Sequence, residues 1–167
     1  MSWQEDNREI EMSEVMTPDM ANFAGYVHGG HLMLLLDKVA YACAARYAGL
    51  YVVTLSVDQI LFKQPIKVGE LVTCYAAVNY VGTSSLEVGI KVVAEDLTSH
   101  EKRHTNTCYF TMVAVDKAGK PAPVKPLEIR SKEEQRRFED AKLRRQMRLD
   151  FGVQHQQHLK KVHAQSH

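Results

Sequence analysis

Cysteine is scarce in this sequence. Its 167 residues hold three, Cys43, Cys74 and Cys108, an odd number spread far apart within apolar segments, which tells against a disulfide framework or a CxxC metal knuckle. They read as buried thiols of a reducing compartment. Net charge is missing too: 21 Lys and Arg stand against 20 Asp and Glu, a formal +1. Nothing therefore draws the whole chain toward nucleic acid or an anionic membrane, and an anionic ligand has to be met by local groups. There is no long apolar run. Residues 1–16 are charged and lack the apolar centre of a signal peptide, and the longest apolar stretch, residues 32–45, is broken by Asp37 and Lys38. Neither a leader nor a membrane span is expected, and the predicted location is cytoplasmic. The chain also lacks GxGxxG, GxxxxGK followed by Ser or Thr, and GxSxG, the usual signals of dinucleotide, nucleoside-triphosphate and serine-hydrolase chemistry.

The length suits one domain, predicted over residues 1–150, with a polar, aperiodic tail at 151–167 expected to be disordered. A loose alternation over residues 8–16 predicts a first strand, broken at Thr17 and Pro18. Residues 28–47 contain no proline, no glycine after Gly30 and many helix formers, and Gly49 stands where a helix C-terminus wants one. This helix is apolar on nearly every side, so it is predicted to be central and wrapped by other structure. Four β-rich runs follow, at 51–62, 70–81, 85–94 and 105–115, and the short links between them predict antiparallel neighbours. The layout is α+β: one long helix, then an antiparallel sheet that wraps it. Pro121, Pro123 and Pro126 end the sheet. Ser131 and Glu134 stand at capping-box spacing and open a charged helix to about residue 149, expected to pack by a thin stripe of Phe138, Leu143 and Met147 rather than to bind nucleic acid.

The residues that invite chemistry cluster at the start of the central helix. Asn22 and Gly25 lead into His28, Gly29 and Gly30, and a helix start presents unpaired N–H groups and a partial positive charge. Two glycines there let a carbonyl approach the amides as an oxyanion site requires; close helix–strand packing accounts for them equally. Asp37 is the sole carboxylate in the helix and needs a partner or solvent. A salt bridge to Lys38 or to another chain would supply one, and a general base or nucleophile would use it; its position favours neither. Gly30 and Asp37 are seven residues apart, about 10 Å along a helix. A single thioester cannot touch both, so a site using both needs two chains. Gly82, Thr83, Ser84 and Ser85 offer hydroxyls and amides suited to a phosphate or a pantetheine amide, or simply form a β-turn. His28 with His31, and His100 with His104, lack a third ligand at matching spacing, so no metal is expected.

Together, Pro18 and Asp19, Asn22, Gly25, Val27 to Gly30 and Asp37 resemble the signature of hotdog-fold acyl-CoA thioesterases. Ser56, Val57 and Asp58, the Gly82 to Ser85 turn and Tyr109 with Phe110 extend the likeness toward brain-type acyl-CoA hydrolases and their bacterial single-domain relatives, over residues 11–150. The resemblance implies a long helix wrapped by an antiparallel sheet, dimers that share one continuous sheet, and trimers of such dimers. It implies hydrolysis of acyl-CoA to free acid and CoA with no cofactor beyond the substrate's own CoA. The asparagine and aspartate matching Asn22 and Asp37 meet across subunits, with His28, Gly29 and Gly30 at the carbonyl and residues 82–85 at CoA. The rival expectation is a regulatory hotdog protein that binds acyl-CoA without hydrolysing it.

Overall fold

The computed structural model describes residues 7–165. The first six residues, part of the segment in which no leader is expected, and the last two of the tail lie outside the described residues. The chain divides into two compact units, one up to Leu127 and one from Glu128 onward, an earlier division than the predicted boundary at residue 150.

The first unit contains strand β1 (Glu9–Val15), a 3-10 turn (Pro18–Met20), helix α1 (Gly29–Ala48) and strands β2 (Tyr51–Val57), β3 (Leu71–Val81), β4 (Ser85–Glu95) and β5 (Lys102–Val115). All strand pairs are antiparallel, in the order β1-β3-β4-β5-β2. The predicted α+β layout is present, and α1 packs against all five strands.

Packing follows the two periodicities. Leu32, Leu35, Leu36, Val39, Ala40, Cys43, Ala44 and Tyr47 recur at helical spacing and are buried on one side of α1. Every second residue of β4, from Leu86 through Val88, Ile90 and Val92 to Ala94, is buried against them, flanked by Val72 and Cys74 of β3 and Phe110 and Met112 of β5. Each fully buried side chain of Val, Leu, Ile or Phe size contributes about 1.5–3 kcal/mol. The helix ends at Gly49, whose φ of 66° lies in the left-handed region while its N–H bonds the Ala45 carbonyl.

Two sheet expectations need correction. The run predicted to 62 ends as a strand at Val57, and β2 is not a neighbour of β3: it pairs with β5 at the far edge. The link at 58–70 is long enough to cross the sheet, so the short-link rule does not reach it. Between Thr54 and Ser56 the β2–β5 register shifts, a bulge at Leu55.

The second unit holds α2 (Lys132–Gln165). Its predicted cap is present: Glu134 N–H donates to Ser131 Oγ, and Glu134 Oε2 accepts from the Arg130 amide rather than that of Ser131. The helix does not stop near 149 but runs through Gly152 to Gln165. Residues 153–165 contain no proline or glycine, and a lone glycine costs a helix only about 1 kcal/mol. Leu143 and Met147, expected to pack, are exposed.

Candidate active site

The loop before α1 is closed at its neck by the His28 N–H to Met20 carbonyl bond (2.7 Å) and the Ala21–Val27 bridge. Within it the chain turns at Gly25, whose φ of 83° suits glycine. The Gly25 amide bonds the Asn22 carbonyl and the Asn22 amide bonds the Tyr26 carbonyl. The Asn22 side chain holds the turn from inside: Oδ1 accepts from the amides of Ala24 (2.9 Å) and Tyr26 (3.1 Å). Two N–H donors on one atom identify it as the oxygen. The donor end, Nδ2, is therefore the part of Asn22 left for a ligand.

At the start of α1, His28 is the N-cap, and its Nδ1 accepts from the Gly30 amide at 3.0 Å. That bond changes the expected pairing of Gly29 and Gly30 as oxyanion donors. The Gly30 amide is already used, and a Cβ at Gly30 would come within 3.3 Å of His28 Nδ1, so Gly30 makes room for the cap. The amides of His31 and Leu32 bond the His28 carbonyl. The Gly29 N–H alone at this helix start has no acceptor among the described residues, and a Cβ on Gly29 would meet the Phe62 ring at 3.8 Å. With Nδ1 accepting, neutral His28 carries its proton on Nε2 and presents a second donor.

Asp37 lies on an exposed side of α1. Thr54 of β2 donates its hydroxyl to Asp37 Oδ1 at 2.7 Å. Among the described residues no cation pairs with Asp37, so the salt bridge to Lys38 is not formed. Asp37, Lys38, Tyr41, Tyr51, Val52, Val53 and Thr54 line an open cleft of about 320 Å³. Thr54 was not singled out by sequence: one threonine in a β-rich run carries no signal, and the adjoining bulge, a common neighbour of active sites, has no residue signature here.

The Gly82 to Ser85 segment is a tight turn between β3 and β4. The Gly82 amide bonds the Ser85 carbonyl, while the Thr83 and Ser84 carbonyls accept from Val124 and Ala114. A Cβ at Gly82 would meet Ser85 Oγ at 2.9 Å. No group of three or more His, Cys, Asp or Glu among the described residues is placed to hold a metal ion.

Comparison with known proteins supplies the family. Residues 24–99 match the thioesterase superfamily. Protein VdlD of Helicobacter pylori is 52% identical over 143 residues, 86% of this chain and 82% of its own. An apo-hexameric acyl-CoA thioesterase structure superposes with a TM-score of 0.83 at 32% identity, covering 86% of this chain and 92% of that one. The acyl-CoA hydrolase of Staphylococcus aureus, solved with butyryl-CoA and CoA, gives 0.82 at 29% identity, covering 92% and 94%. That hydrolase has also been solved with an asparagine, an aspartate and a threonine singly replaced by alanine, at successive intervals of fifteen and seventeen residues. With its helix set against an antiparallel sheet and these relatives, the chain belongs to the thioesterase superfamily, as a hotdog-fold acyl-CoA thioesterase.

Proposed function

We infer that the enzyme hydrolyses acyl-CoA to free acid and CoA at sites built between two copies of the chain, Asn22 coming from one and Asp37 from the other. The observation that carries this reading is the place of Asp37. It is held by Thr54 in a cleft on a side of α1 that one chain leaves open, about two helical turns from the unpaired Gly29 amide. Asn22, Asp37 and Thr54 also stand at the same fifteen- and seventeen-residue intervals as the residues replaced in the Staphylococcus aureus hydrolase.

The chemistry follows from the donors and the carboxylate. The thioester carbonyl oxygen sits at the Gly29 amide and the positive end of α1, where His28 Nε2 is a further donor. The partner's Asp37 acts on the carbonyl carbon, either by taking a proton from a water that attacks or by attacking itself and being released by water. With water as nucleophile, the acyl–sulfur bond breaks as the tetrahedral adduct collapses and the acid carries the water oxygen. With Asp37 as nucleophile, the same bond breaks to leave an acyl–Asp37 anhydride that water then opens. In both routes CoA leaves as the thiolate and is protonated. Thr54 fixes Oδ1 of Asp37, which points Oδ2 to the reaction. Asn22 Nδ2 donates to the carbonyl or the attacking water. Label found in Asp37 after one turnover in isotopically labelled water reports direct attack, with water opening the anhydride at the Asp37 carboxyl carbon, whereas general-base catalysis leaves label only in the acid.

The Gly82 to Ser85 turn is proposed to meet CoA, and β2, one of the two edge strands of the sheet, to pair with its counterpart. Dimers grouped in threes accord with the hexameric relative, and a cytoplasmic location with three unpaired thiols. The test is release of CoA from short-, medium- and long-chain acyl-CoAs by wild type, Asp37→Ala and Asn22→Ala. Wild type is expected to turn over and each variant to lose about 100-fold or more in kcat while staying folded. Tight binding of acyl-CoA without release would support the regulatory reading instead.

A further inference from the structure

The link between β2 and β3 has no helix or strand of its own, yet it touches the site. Its Phe62 lies beside Gly29, its Ile66 carbonyl accepts from Val27 at 2.8 Å, and Lys67 bridges to Tyr26. Tyr26 holds Asn22 twice, through the Asn22 amide and through Oδ1. The position of the Asn22 side chain is thus set by where the link lies.

One side chain from the sheet fixes that link. Arg103 of β5 bonds both oxygens of Glu70, at 2.5 and 2.8 Å, and the Pro65 carbonyl at 2.8 Å. Glu70 Oε2 also accepts from the Lys67 amide at 2.7 Å. Sheet register brings the two together: Arg103 lies opposite Ala94, and Ala94 opposite Val72, two residues beyond Glu70. The Glu70 side chain is only 5% exposed and Arg103 26%, so the carboxylate end of the pair is shielded from the solvent that weakens surface ion pairs. A planar fork that meets a carboxylate and a carbonyl together is a geometry lysine cannot reproduce.

We propose that Arg103 and Glu70 are positioning residues for thioester hydrolysis, their fork holding the 58–70 link so that Asn22 keeps its place at the substrate carbonyl. This rests on the role proposed for Asn22, and the test separates the two. Arg103→Met and Arg103→Lys are made in wild type and in Asn22→Ala, with kcat and KM measured on oligomers checked for fold and size. Arg103→Met is expected to lower kcat about 10-fold or more, since small misplacements of a reacting group are costly, with a smaller change in KM. In the Asn22→Ala background the further loss should be under about twofold, because the effect travels through Asn22. Arg103→Lys, which keeps the charge without the fork, should fall between and supplies the comparison if Arg103→Met does not fold. Equal proportional losses in both backgrounds, or no loss in wild type, would overturn the proposal. An Asn22→Ala enzyme with full activity would overturn the site assignment, and this inference with it.

Discussion

Asp37 and Thr54 differ in how they show themselves. A single carboxylate inside an apolar helix announces a cost that something must offset. A threonine in a strand announces nothing, although its hydroxyl is the partner the carboxylate has. Thr54→Val keeps the shape and removes the donor. We expect kcat to fall about 10-fold as the carboxylate loses its orientation, with Thr54→Ser retaining most activity; equal losses for both would assign Thr54 to packing. The cysteines are the opposite case, legible from composition. Burial pushes each of the Cys43, Cys74 and Cys108 thiols up to about 12, and a thiol is reactive only as thiolate. A thiol reagent at about pH 8 should label the native protein slowly and the unfolded protein at all three positions. Fast native labelling would contradict their burial.

At the scale of elements, α1, β3, β4 and β5 were readable because residues 31–47 hold no proline or glycine and turn signals bound the β-rich runs, and Gly49 marks its turn without ambiguity. The 58–70 link was not: Ile60, Leu61 and Phe62 continue the apolar character of β2 past the end of its pairing, and Asp58 is the one turn-forming residue before Pro65. What fixes the link, Arg103 on Glu70, joins residues 33 apart in sequence, beyond any local pattern. The Arg103 guanidinium, helped by the Lys67 amide, holds the Glu70 carboxyl below the usual carboxylate range. A lowered folded value stabilises the fold above the unfolded-state value of about 4.3, and that contribution is lost as pH falls through the folded value. Glu70→Gln should therefore be less stable than wild type at neutral pH, by about 2 kcal/mol once the partial exposure of Arg103 is discounted. Denaturant unfolding should show the gap narrowing below about pH 4; a gap independent of pH would contradict it. In α2, the helix crosses Gly152 and runs past the end expected near residue 149. Gly152→Ala should strengthen the helix by up to about 1 kcal/mol, read as slower amide exchange on both sides of residue 152, whereas unchanged exchange would mean that the helix is not continuous there.

For the whole molecule, the telling feature is what one chain leaves uncovered. Leu34 and Tyr41 of α1, Tyr51 and Leu55 of β2 and Phe23 at the tip of the Asn22 turn are exposed. Leu34 and Tyr41 flank Asp37 along the helix, so the candidate base stands within an apolar surface that a second copy would cover. A distance of seven residues along a helix is fixed, so the spacing between Gly30 and Asp37 makes two chains the expectation for a site that uses both. Which surface a second copy would cover was not legible, because it depends on the edge position of β2 and on the 58–70 crossing. The most direct test is complementation. Asn22→Ala and Asp37→Ala chains, each reduced about 100-fold or more alone, are co-expressed with different tags, and the mixed oligomers are purified through both. If Asn22 and Asp37 meet across two chains, every mixed dimer holds one intact site, and random pairing should restore about a quarter of wild-type kcat per chain. Mixed oligomers as inactive as the parents would place both residues in one chain and contradict the shared site.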